Sequence, residues 1–528
     1  MTLPYLTDNC IHYILQYLQN DRLTLFNCLL VNRYWCKSTV PLLYADPFKN
    51  ITEKTCQIAL TLIFCFNKAE ILQLNNQLEL NLINNIKFEE EYNPLFKYPK
   101  YLENYSYYII DTVIYRWFLK CSGLSTINLG EETLPIFHQS ILRQSRNIKR
   151  LDISTHIFYH ESFKNFDFQN FISNLNSLSL KICVNTDVYN EIEQEFLSNI
   201  ANIGINLRKL LIKFLEPHII MWKHSNHIFG NSTNTTTLEK LYTIIQKQKN
   251  LQTFKIGSCN SLLTNFLIPL EFQNHSLVHI EFISINFNNV NLKSFNNLYN
   301  LKYLKFETCK DISFSQCEIL NFALFKLKKL SFKDNYWKPD ITSLMIKYFG
   351  ESLQRLLIQN PKIYLIESIL MYCSNLICLK IRIDVHFDLS LLPFLKYLSI
   401  KNLCININNY YSDNINEFFI NLAINIPINI NQISIYFFTR SDKFLYFKDF
   451  LENCHNCFEI INFDHTFELK FLKIILNYIE RSNNSLKILG NPDDTKLNDE
   501  EFDLLNQIKA KGVKIMDFFD IYEAIKDI

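Results

Sequence analysis

Four consecutive residues, Cys454-His455-Asn456-Cys457, carry side chains of the kind that bind metal ions. A structural zinc ion takes four ligands, and no second cysteine pair follows at the spacing of a zinc finger. His465 is near in the sequence but would add only a third ligand. The pattern therefore favours a coincidental pair in a loop, and we predict no metal and no cofactor.

Two histidines four residues apart, His156 and His160, could share one face of a helix. A zinc protease needs glutamate directly after the first histidine, and Ile157 is there instead. Only 8 of the 528 residues are glycine, and no glycine-rich phosphate-binding motif occurs. No Ser-His-Asp or Cys-His arrangement follows from the spacing. We predict a non-catalytic protein, with an active site built from loop residues as an open alternative.

One short phrase recurs from residue 124 to the end of the sequence: apolar, two variable residues, apolar, one variable residue, apolar. Successive copies begin 19 to 44 residues apart, and a repeat of this length is typical of a solenoid. Clear copies begin at Leu124, Ile148, Leu175, Leu207, Leu251, Leu277, Leu301, Leu327, Leu353, Leu376 and Leu395, and weaker copies begin at Ile430, Phe458, Leu486 and Val513.

Alternate residues of each phrase point to opposite sides of a strand, so Leu304 and Phe306 face one way while Tyr303 and Lys305 face the other. Stretches with helical spacing, such as the one after Glu191, separate the phrases. One strand–helix unit cannot bury its apolar face alone and must stack on its neighbours. The pattern resembles the leucine-rich-repeat family over residues 121–528. That resemblance implies an α/β solenoid with a curved parallel sheet and outer helices.

The composition argues against several classes of partner. With 53 basic and 52 acidic residues the net charge is +1, without the basic excess that nucleic-acid binding requires. The most apolar stretch, residues 58–66, is shorter than the ~20 residues of a membrane span. The 15 cysteines are irregularly spaced, and the first residues lack the features of a signal peptide. We therefore expect reduced thiols, a cytoplasmic or nuclear location, no nucleic acid and no membrane.

The first 48 residues have a different pattern. Apolar residues at helical spacing between positions 11 and 18 predict a first helix, and a turn follows at positions 20–21. A second helix is predicted from Leu23 through Trp35, with Pro41 marking its end or a kink. A segment this short cannot bury all of its apolar residues, so some of them should face a partner.

This segment resembles the F-box, whose pattern is Leu-Pro near the start, a first helix, and a second helix that ends in a Val-Asn-Arg-x-Trp signature. Leu3 and Pro4 match the opening, residues 14–18 match the first helix, and residues 31–35 (VNRYW) match the signature. The chain is thus similar to the fungal-type family of F-box proteins with leucine-rich repeats. The resemblance implies an F-box at 1–48, a helical connector at 49–120 and repeats at 121–528.

F-box proteins dock on a Skp-type adaptor of a cullin–RING ubiquitin ligase, and their repeats hold the target protein. The resemblance therefore implies the substrate-recognition subunit of a Skp–cullin–F-box ligase. A leucine-rich-repeat interaction scaffold with a degenerate F-box and no ligase role stays open as the alternative. The same leucines and tryptophan could also be merely the core of a small helical domain. The residues expected to contact the adaptor are Leu3, Pro4, Ile11, Leu15, Leu18, Leu23, Leu25, Val31 and Trp35.

The variable positions of the repeat strands line the concave face of a leucine-rich repeat, which is the default surface for a target. A basic stripe flanked by tyrosines crosses neighbouring strands there. Because such strands lie about 4.8 Å apart, their ammonium groups could surround one carboxylate or phosphate. We expect an acidic or phosphorylated target, with a solvated lysine-rich face as the alternative. The stripe comprises Lys255, Lys302, Tyr303, Lys305, Lys328, Lys329, Arg355, Lys380, Lys396 and Tyr397.

Overall fold

The structure, a computed structural model, describes residues 7–49, 55–80, 94–122, 130–183, 191–215, 235–259, 262–383, 388–408, 415–437, 443–491 and 497–527. It contains two compact units. The first comprises Met1–Cys259 with Ile268–Leu277, and the second comprises Asn260–Leu267 with Val278–Ile528. In each unit parallel strands alternate with helices, which is the arrangement expected of stacked repeats.

In the first unit, the strands pair in sequence order and all pairs are parallel. The strands are β1 (Asn104–Ser106), β2 (Arg150–Ser154), β3 (Ser177–Cys183), β4 (Lys209–Leu215) and β5 (Thr253–Gly257). The helices are α1 (Asp8–Tyr17), α2 (Arg22–Cys28), α3 (Arg33–Ala45), α4 (Ile58–Ile63), α5 (Lys68–Leu80), α6 (Tyr107–Ser122), α7 (Gly130–Gln144), α8 (Gln169–Ile172), α9 (Glu191–Ile203) and α10 (Thr235–Lys247). The residues of α11 (Leu263–Leu270) are divided between the two units.

The second unit repeats the same order with more strands. They are β6 (His279–Ile283), β7 (Tyr303–Glu307), β8 (Lys329–Lys333), β9 (Arg355–Gln359), β10 (Cys378–Ile383), β11 (Asn402–Ile407), β12 (Gln432–Phe437), β13 (Ile460–Phe463), β14 (Ile488–Asn491) and β15 (Lys514–Asp517). The helices are α12 (Phe314–Leu320), α13 (Pro339–Phe349), α14 (Ile363–Tyr372), α15 (Leu392–Leu395), α16 (Ile415–Asn425), α17 (Phe444–Asn453), α18 (Leu469–Arg481), α19 (Asp499–Ala510) and α20 (Phe518–Asp527).

The apolar positions of the repeat phrase align in register and form the core of each unit. In the first unit this row is Tyr105, Leu151, Leu178, Leu210 and Phe254. In the second it is Ile280, Leu304, Leu330, Leu356, Leu379, Leu403, Ile433, Ile461 and Leu489. None of these side chains is more than 2% exposed. Their removal from water is the dominant favourable term in the folding of each unit.

Four successive strands of the second unit end in the same unusual backbone conformation. The residues that follow β6 to β9 have positive φ: 54° at Ser284, 53° at Thr308, 52° at Asp334 and 42° at Asn360. This left-handed region usually favours glycine. The amide of Ser284 compensates by donating to the carbonyl of Glu307 on the next strand at 2.8 Å. The repeated turn therefore forms without glycine, of which the chain has only 8.

The repeat phrases predict the strands well, with one error in the described residues. The phrase at Leu124 lies outside those residues. The prediction at Leu395 is wrong, because that residue ends the short helix α15 and the strand of this repeat begins at Asn402. Pro393 stands in the first turn of α15. Proline is favourable there because its φ is already helical and its missing N–H is not needed.

Two features of the N-terminal half also differ from the prediction. The expected connector, residues 49–120, contributes the first strand, since β1 pairs with β2. The expected second helix of the N-terminal segment is two helices, α2 and α3. Asn32 begins α3, because its Oδ1 accepts hydrogen bonds from the amides of Tyr34 and Trp35 at 2.9 and 3.0 Å. Pro41 lies inside α3 and does not end it.

Candidate partner-binding surfaces

Helices α1 to α3 share a small hydrophobic core. Ile11 and Leu15 of α1, Leu25 and Cys28 of α2, and Leu43 of α3 pack together, each at most 8% exposed. The partly buried side chains around them are Leu18, Leu29, Trp35, Leu42 and Tyr44. This core holds α1 and α2 against α3 as one module.

Polar contacts at the start of α2 add to that core. The carboxylate of Asp21 accepts hydrogen bonds from the hydroxyl of Thr24 at 2.6 Å and from its amide at 3.0 Å. These bonds lower the pKa of Asp21. The guanidinium of Arg22 donates to the carbonyls of Asp46 at 2.6 Å and Leu43 at 3.3 Å. The start of α2 is therefore tied to the end of α3.

The outside of this module is rich in exposed apolar side chains. Of the 29 large hydrophobic side chains that are exposed in the described ranges, eight lie between residues 13 and 34. They are Tyr13 (71% exposed), Ile14 (37%), Tyr17 (91%), Leu23 (75%), Phe26 (57%), Leu30 (78%), Val31 (58%) and Tyr34 (38%). We call these eight residues the outer apolar surface. Exposed apolar side chains in such number are typical of surfaces that bind another molecule.

The structure corrects part of the predicted adaptor contact. Leu3 and Pro4 lie outside the described residues. Ile11, Leu15 and Leu25 are 6%, 1% and 1% exposed, so their side chains stabilise the module and offer no surface to a partner. The helical spacing of Ile11 and Leu15 is that of a core stripe of α1.

The other predicted contacts divide between the core and the outside. Leu18 and Trp35 are half-buried and pack on the module core. Leu23 and Val31 are exposed and belong to the outer apolar surface. Their role in adaptor binding stays a prediction.

Six residues of the outer apolar surface were not predicted, although the sequence contains a signal for them. Ile11 and Leu15 are four residues apart and form the buried stripe of α1. Tyr13 and Tyr17 have the same spacing two positions later, so α1 has a second aromatic stripe on another face. A helix that buries one stripe and exposes another has a surface available for a partner.

The module joins the rest of the first unit through α3. The ring of Tyr44 lies 4.4 Å from the ring of Tyr98, measured between centroids. Just after α3, the Nδ2 of Asn104 donates to the carboxylate of Asp46 at 2.6 Å. These contacts use residues at the end of α3 and do not use the outer apolar surface.

A pocket of about 260 Å³ lies at this junction, and its polar lining includes Asp46, Asn104, Arg150 and Asp152. Arg150 hydrogen-bonds Asn104 and lies 3.7 Å from Asp46, and Asp152 accepts from the hydroxyl of Ser106 at 2.9 Å. These polar groups pair with one another. The pocket therefore stabilises the contact between the end of α3 and strands β1 and β2, and we do not assign it a ligand.

The second unit has a sheet face on the side away from the buried row, which we call the open face. In register, its first row is His279, Tyr303, Lys329, Arg355, Cys378, Asn402, Gln432, Ile460 and Ile488. A second row lies two residues further along each strand. Five of the ten predicted target-binding residues belong to these two rows, namely Tyr303, Lys305, Lys329, Arg355 and Lys380.

Ion pairs neutralise part of the predicted basic stripe. The ammonium of Lys305 lies 2.7 Å from the carboxylate of Glu307 and 3.6 Å from that of Glu281, and Lys333 also pairs with Glu307. Burial alone would lower the pKa of Lys305, but the hydrogen bond to Glu307 and the two carboxylates raise it above its ordinary value. Burial would raise the pKa of Glu307, yet Lys305 and Lys333 lower it. Lys305 is therefore a member of an ion-pair network and is not an unpaired cation.

Two other predicted lysines lie over aromatic rings. The ammonium of Lys329 lies 4.8 Å from the ring centroid of Tyr303, and that of Lys380 lies 3.6 Å from the ring centroid of Tyr522. A cation over a ring face is attracted by the ring quadrupole. Arg355 is half-buried between them in the register of the open face.

The remaining predicted target-binding residues do not belong to the open face of the second unit. Lys302 and Lys328 are exposed and stand one residue before β7 and β8. Lys396 and Tyr397 follow α15 and precede β11, so their predicted place on a strand is wrong. Lys255 is half-buried on β5 of the first unit. The stripe drawn from the sequence is thus not one continuous row.

Cys454 is buried and Cys457 is exposed. Within the described ranges, no group of three or more histidine, cysteine or acidic side chains could hold a metal ion. In the same part of the chain, the helices are too short or too polar to cross a lipid bilayer.

No protein-family model matches the sequence, and no curated protein matches it. Among solved structures, the chain is similar to the crystal structure of the Rad7 and Elc1 complex in yeast. The sequence identity is 13%, the TM-score is 0.34, and the match covers 98% of this chain and 98% of that chain. A similarity at this TM-score and identity identifies no function for this chain.

Proposed function

We propose that this chain is the substrate-recognition subunit of a Skp–cullin–F-box ubiquitin ligase. The outer apolar surface of α1 to α3 docks on a Skp-type adaptor, and the repeat strands hold a target protein. The chain itself performs no chemistry. By holding the target near the ubiquitin-conjugating enzyme it raises the effective concentration of the two reactants.

The observation that carries this proposal is the outer apolar surface. Eight large apolar side chains between residues 13 and 34 are exposed around a module that already has its own core. Burial of one Leu or Phe side chain contributes about 1.5–3 kcal/mol, so a few such contacts are enough for a specific complex. The VNRYW sequence of the F-box signature supports a Skp-type adaptor as the partner.

The test is co-purification of the adaptor and cullin from cells that express the full chain. The double variant Leu23→Asp/Phe26→Asp places two charges in the outer apolar surface, and we expect adaptor recovery to fall at least about tenfold, because charges at the buried centre of an interface are costly. The matched control is Phe322→Asp/Leu324→Asp, at side chains of the second unit that are 71% and 67% exposed. We expect the control to recover adaptor like the wild type.

Other results would reject the proposal. Wild-type chain that recovers neither adaptor nor cullin would favour the interaction scaffold without a ligase role. Equal adaptor recovery by the wild type and by Leu23→Asp/Phe26→Asp would place the adaptor contact outside the outer apolar surface.

A further inference from the structure

The last helix, α20, lies on the open face of the second unit. Ile521 of α20 is 4% exposed and packs with Cys378 of β10 and Cys404 of β11. Side chains from three later strands surround this contact, namely Ile460, Ile488 and Met516. The chain therefore covers with its own helix part of the face on which a repeat protein usually binds its target.

Directional contacts hold the same helix. The ammonium of Lys380 lies 3.6 Å from the ring centroid of Tyr522, and the Nδ2 of Asn406 donates to the hydroxyl of Tyr522 at 3.3 Å. At the start of the helix, the Nδ2 of Asn462 donates to the backbone carbonyl of Phe518 at 3.1 Å. Strands β10, β11 and β13 thus each provide a polar group to α20.

The contacting residues of α20 follow a helix-in-groove pattern. Phe518, Ile521 and Tyr522 are spaced i, i+3 and i+4, which places them on one face of the helix. Phe519, which is off this face, is 50% exposed. One apolar and aromatic stripe therefore makes the contact, as in peptide helices that bind a groove.

The fit between α20 and the open face is incomplete. The amide oxygens of Asn406 and Asn462 are buried beneath or beside the helix, and no donor in the described part of the chain reaches them. Burial of an unpaired amide oxygen is unfavourable. A helix with the same aromatic stripe and a hydroxyl, amide or ammonium donor opposite these oxygens would bind this face more tightly than α20.

We propose that the open face of β10 to β14 is a helix-binding surface and that α20 occupies it as an internal competitor of the target. The target segment is an amphipathic helix with an aromatic residue, an aliphatic residue three positions later and a tyrosine next to it. Side-chain donors on that helix pair with Asn406 and Asn462. This inference rests on the proposed function in one respect, namely that the repeats hold a target.

Cys378 and Cys404 provide a direct readout, because both thiols lie under Ile521 and are 5% and 1% exposed. Alkylation of the full chain by N-ethylmaleimide, followed residue by residue with mass spectrometry, measures how often α20 leaves the face. Cys309 is 0% exposed in the same unit and reports unfolding of the unit as a whole. In the wild type we expect Cys378 to be labelled whenever α20 leaves the face, even if the unit stays folded. Cys309 should be labelled only when the whole unit unfolds.

The variants Ile521→Asp and Tyr522→Ala weaken the contact in the full chain. We expect labelling of Cys378 to accelerate about tenfold or more, with labelling of Cys309 unchanged, since only a local opening is favoured. A synthetic peptide of residues 517–528 should slow the labelling of Cys378 in either variant in a dose-dependent manner. The same peptide carrying Tyr522→Ala should protect much less.

Three results would overturn the inference. Cys378 and Cys404 would be labelled only together with Cys309 if α20 were a permanent part of the fold. Acceleration at Cys309 in both variants would also make the helix a structural element. Failure of the peptide to protect Cys378 would show that the face does not bind a helix in trans. The purified chain alone is used, so these results are independent of adaptor recovery from cells.

Discussion

The side chain of Asn462 occupies the space next to Gly490, where a Cβ atom would lie 1.8 Å from the Oδ1 of Asn462. Asn462 is fully buried, and its Nδ2 donates to the hydroxyl of Ser434 at 2.9 Å and to the carbonyl of Phe518 at 3.1 Å. The absence of a side chain on β14 thus lets one asparagine of β13 connect β12 with α20.

We predict that Gly490→Ala lowers the free energy of unfolding of the second unit. The added methyl group must displace Asn462, and overpacking of this kind costs about 1–3 kcal/mol. Urea unfolding of the wild type and the variant measures the loss. The double variant Asn462→Ala/Gly490→Ala removes the clash, so its loss should be smaller than the sum of the two single losses. Simple additivity would contradict the proposed contact.

Substitutions of two residues of α1, one in the core and one on the surface, should differ in their effect on the stability of the N-terminal module. Leu15 is 1% exposed and Tyr17 is 91% exposed, two positions later. Leu15→Ala should destabilise the N-terminal module by about 2–5 kcal/mol because it opens a cavity in the core. Tyr17→Ala should change stability by less than about 0.5 kcal/mol. Hydrogen exchange of the amides of α1 is the measurement, and equal protection in the two variants would contradict the structure.

A half-buried histidine and a buried glutamate of the first unit, His156 and Glu193, should have opposite effects on the pH dependence of stability. Burial lowers the pKa of His156 to about 4, against the attraction of Asp111. Burial raises the pKa of Glu193 to about 7, although the Tyr159 hydroxyl donates to it. Both groups therefore bind protons differently in the folded and unfolded chain.

The signs of the two effects follow from linkage. Between pH about 4 and 6.5, unfolded His156 takes up a proton that folded His156 does not, so stability rises with pH. Between pH 4.5 and about 7, folded Glu193 keeps a proton that the unfolded residue releases, so stability falls as pH rises. Each slope is at most about 1.4 kcal/mol per pH unit, and in the wild type they largely cancel.

Removal of either titrating group should therefore leave the pH effect of the other group uncompensated. Relative to the wild type, Glu193→Gln should make the free energy of unfolding rise with pH between about 4.5 and 6.5, because only the His156 effect remains. His156→Gln should make it fall over the same window. Denaturant unfolding at several pH values measures both slopes, and variants that keep the wild-type slope would show that neither group titrates differently on folding.

Lys305 and Lys302 differ in environment although they are three residues apart. Lys305→Glu would bring a third carboxylate to Glu281 and Glu307. The pair is half-buried, so its loss should cost more than the ~1 kcal/mol of an exposed pair and less than the ~3–5 kcal/mol of a fully buried one. Lys302→Glu, at an exposed residue, should cost less than about 0.5 kcal/mol. The urea midpoint of the second unit should be lower for Lys305→Glu than for Lys302→Glu, and similar midpoints would contradict the ion-pair network. The effect of surface charge on target binding is therefore best tested at Lys302 and Lys328.

The sequence was sufficient to predict the alternation of strands and helices, because each repeat phrase carries its own apolar pattern. Leu304 and Phe306 are buried while Tyr303 and Lys305 point to the other side, as the period of two requires. It also predicted a short helical module near the N-terminus, where α1 to α3 share one core; partner binding by this module stays a prediction. The error at Leu395 arose because a strand phrase and one helical turn beginning near a proline have similar apolar content.

Only the tertiary structure decided which apolar residues of the module are core and which are exposed. Spacing identifies two stripes on α1, but their assignment depends on where α2 and α3 pack. The tertiary structure also placed Glu281 and Glu307 around Lys305 and α20 on the open face. These contacts join residues that are distant in the sequence or on separate strands, and a local pattern contains no information about the neighbour that a folded chain brings to it.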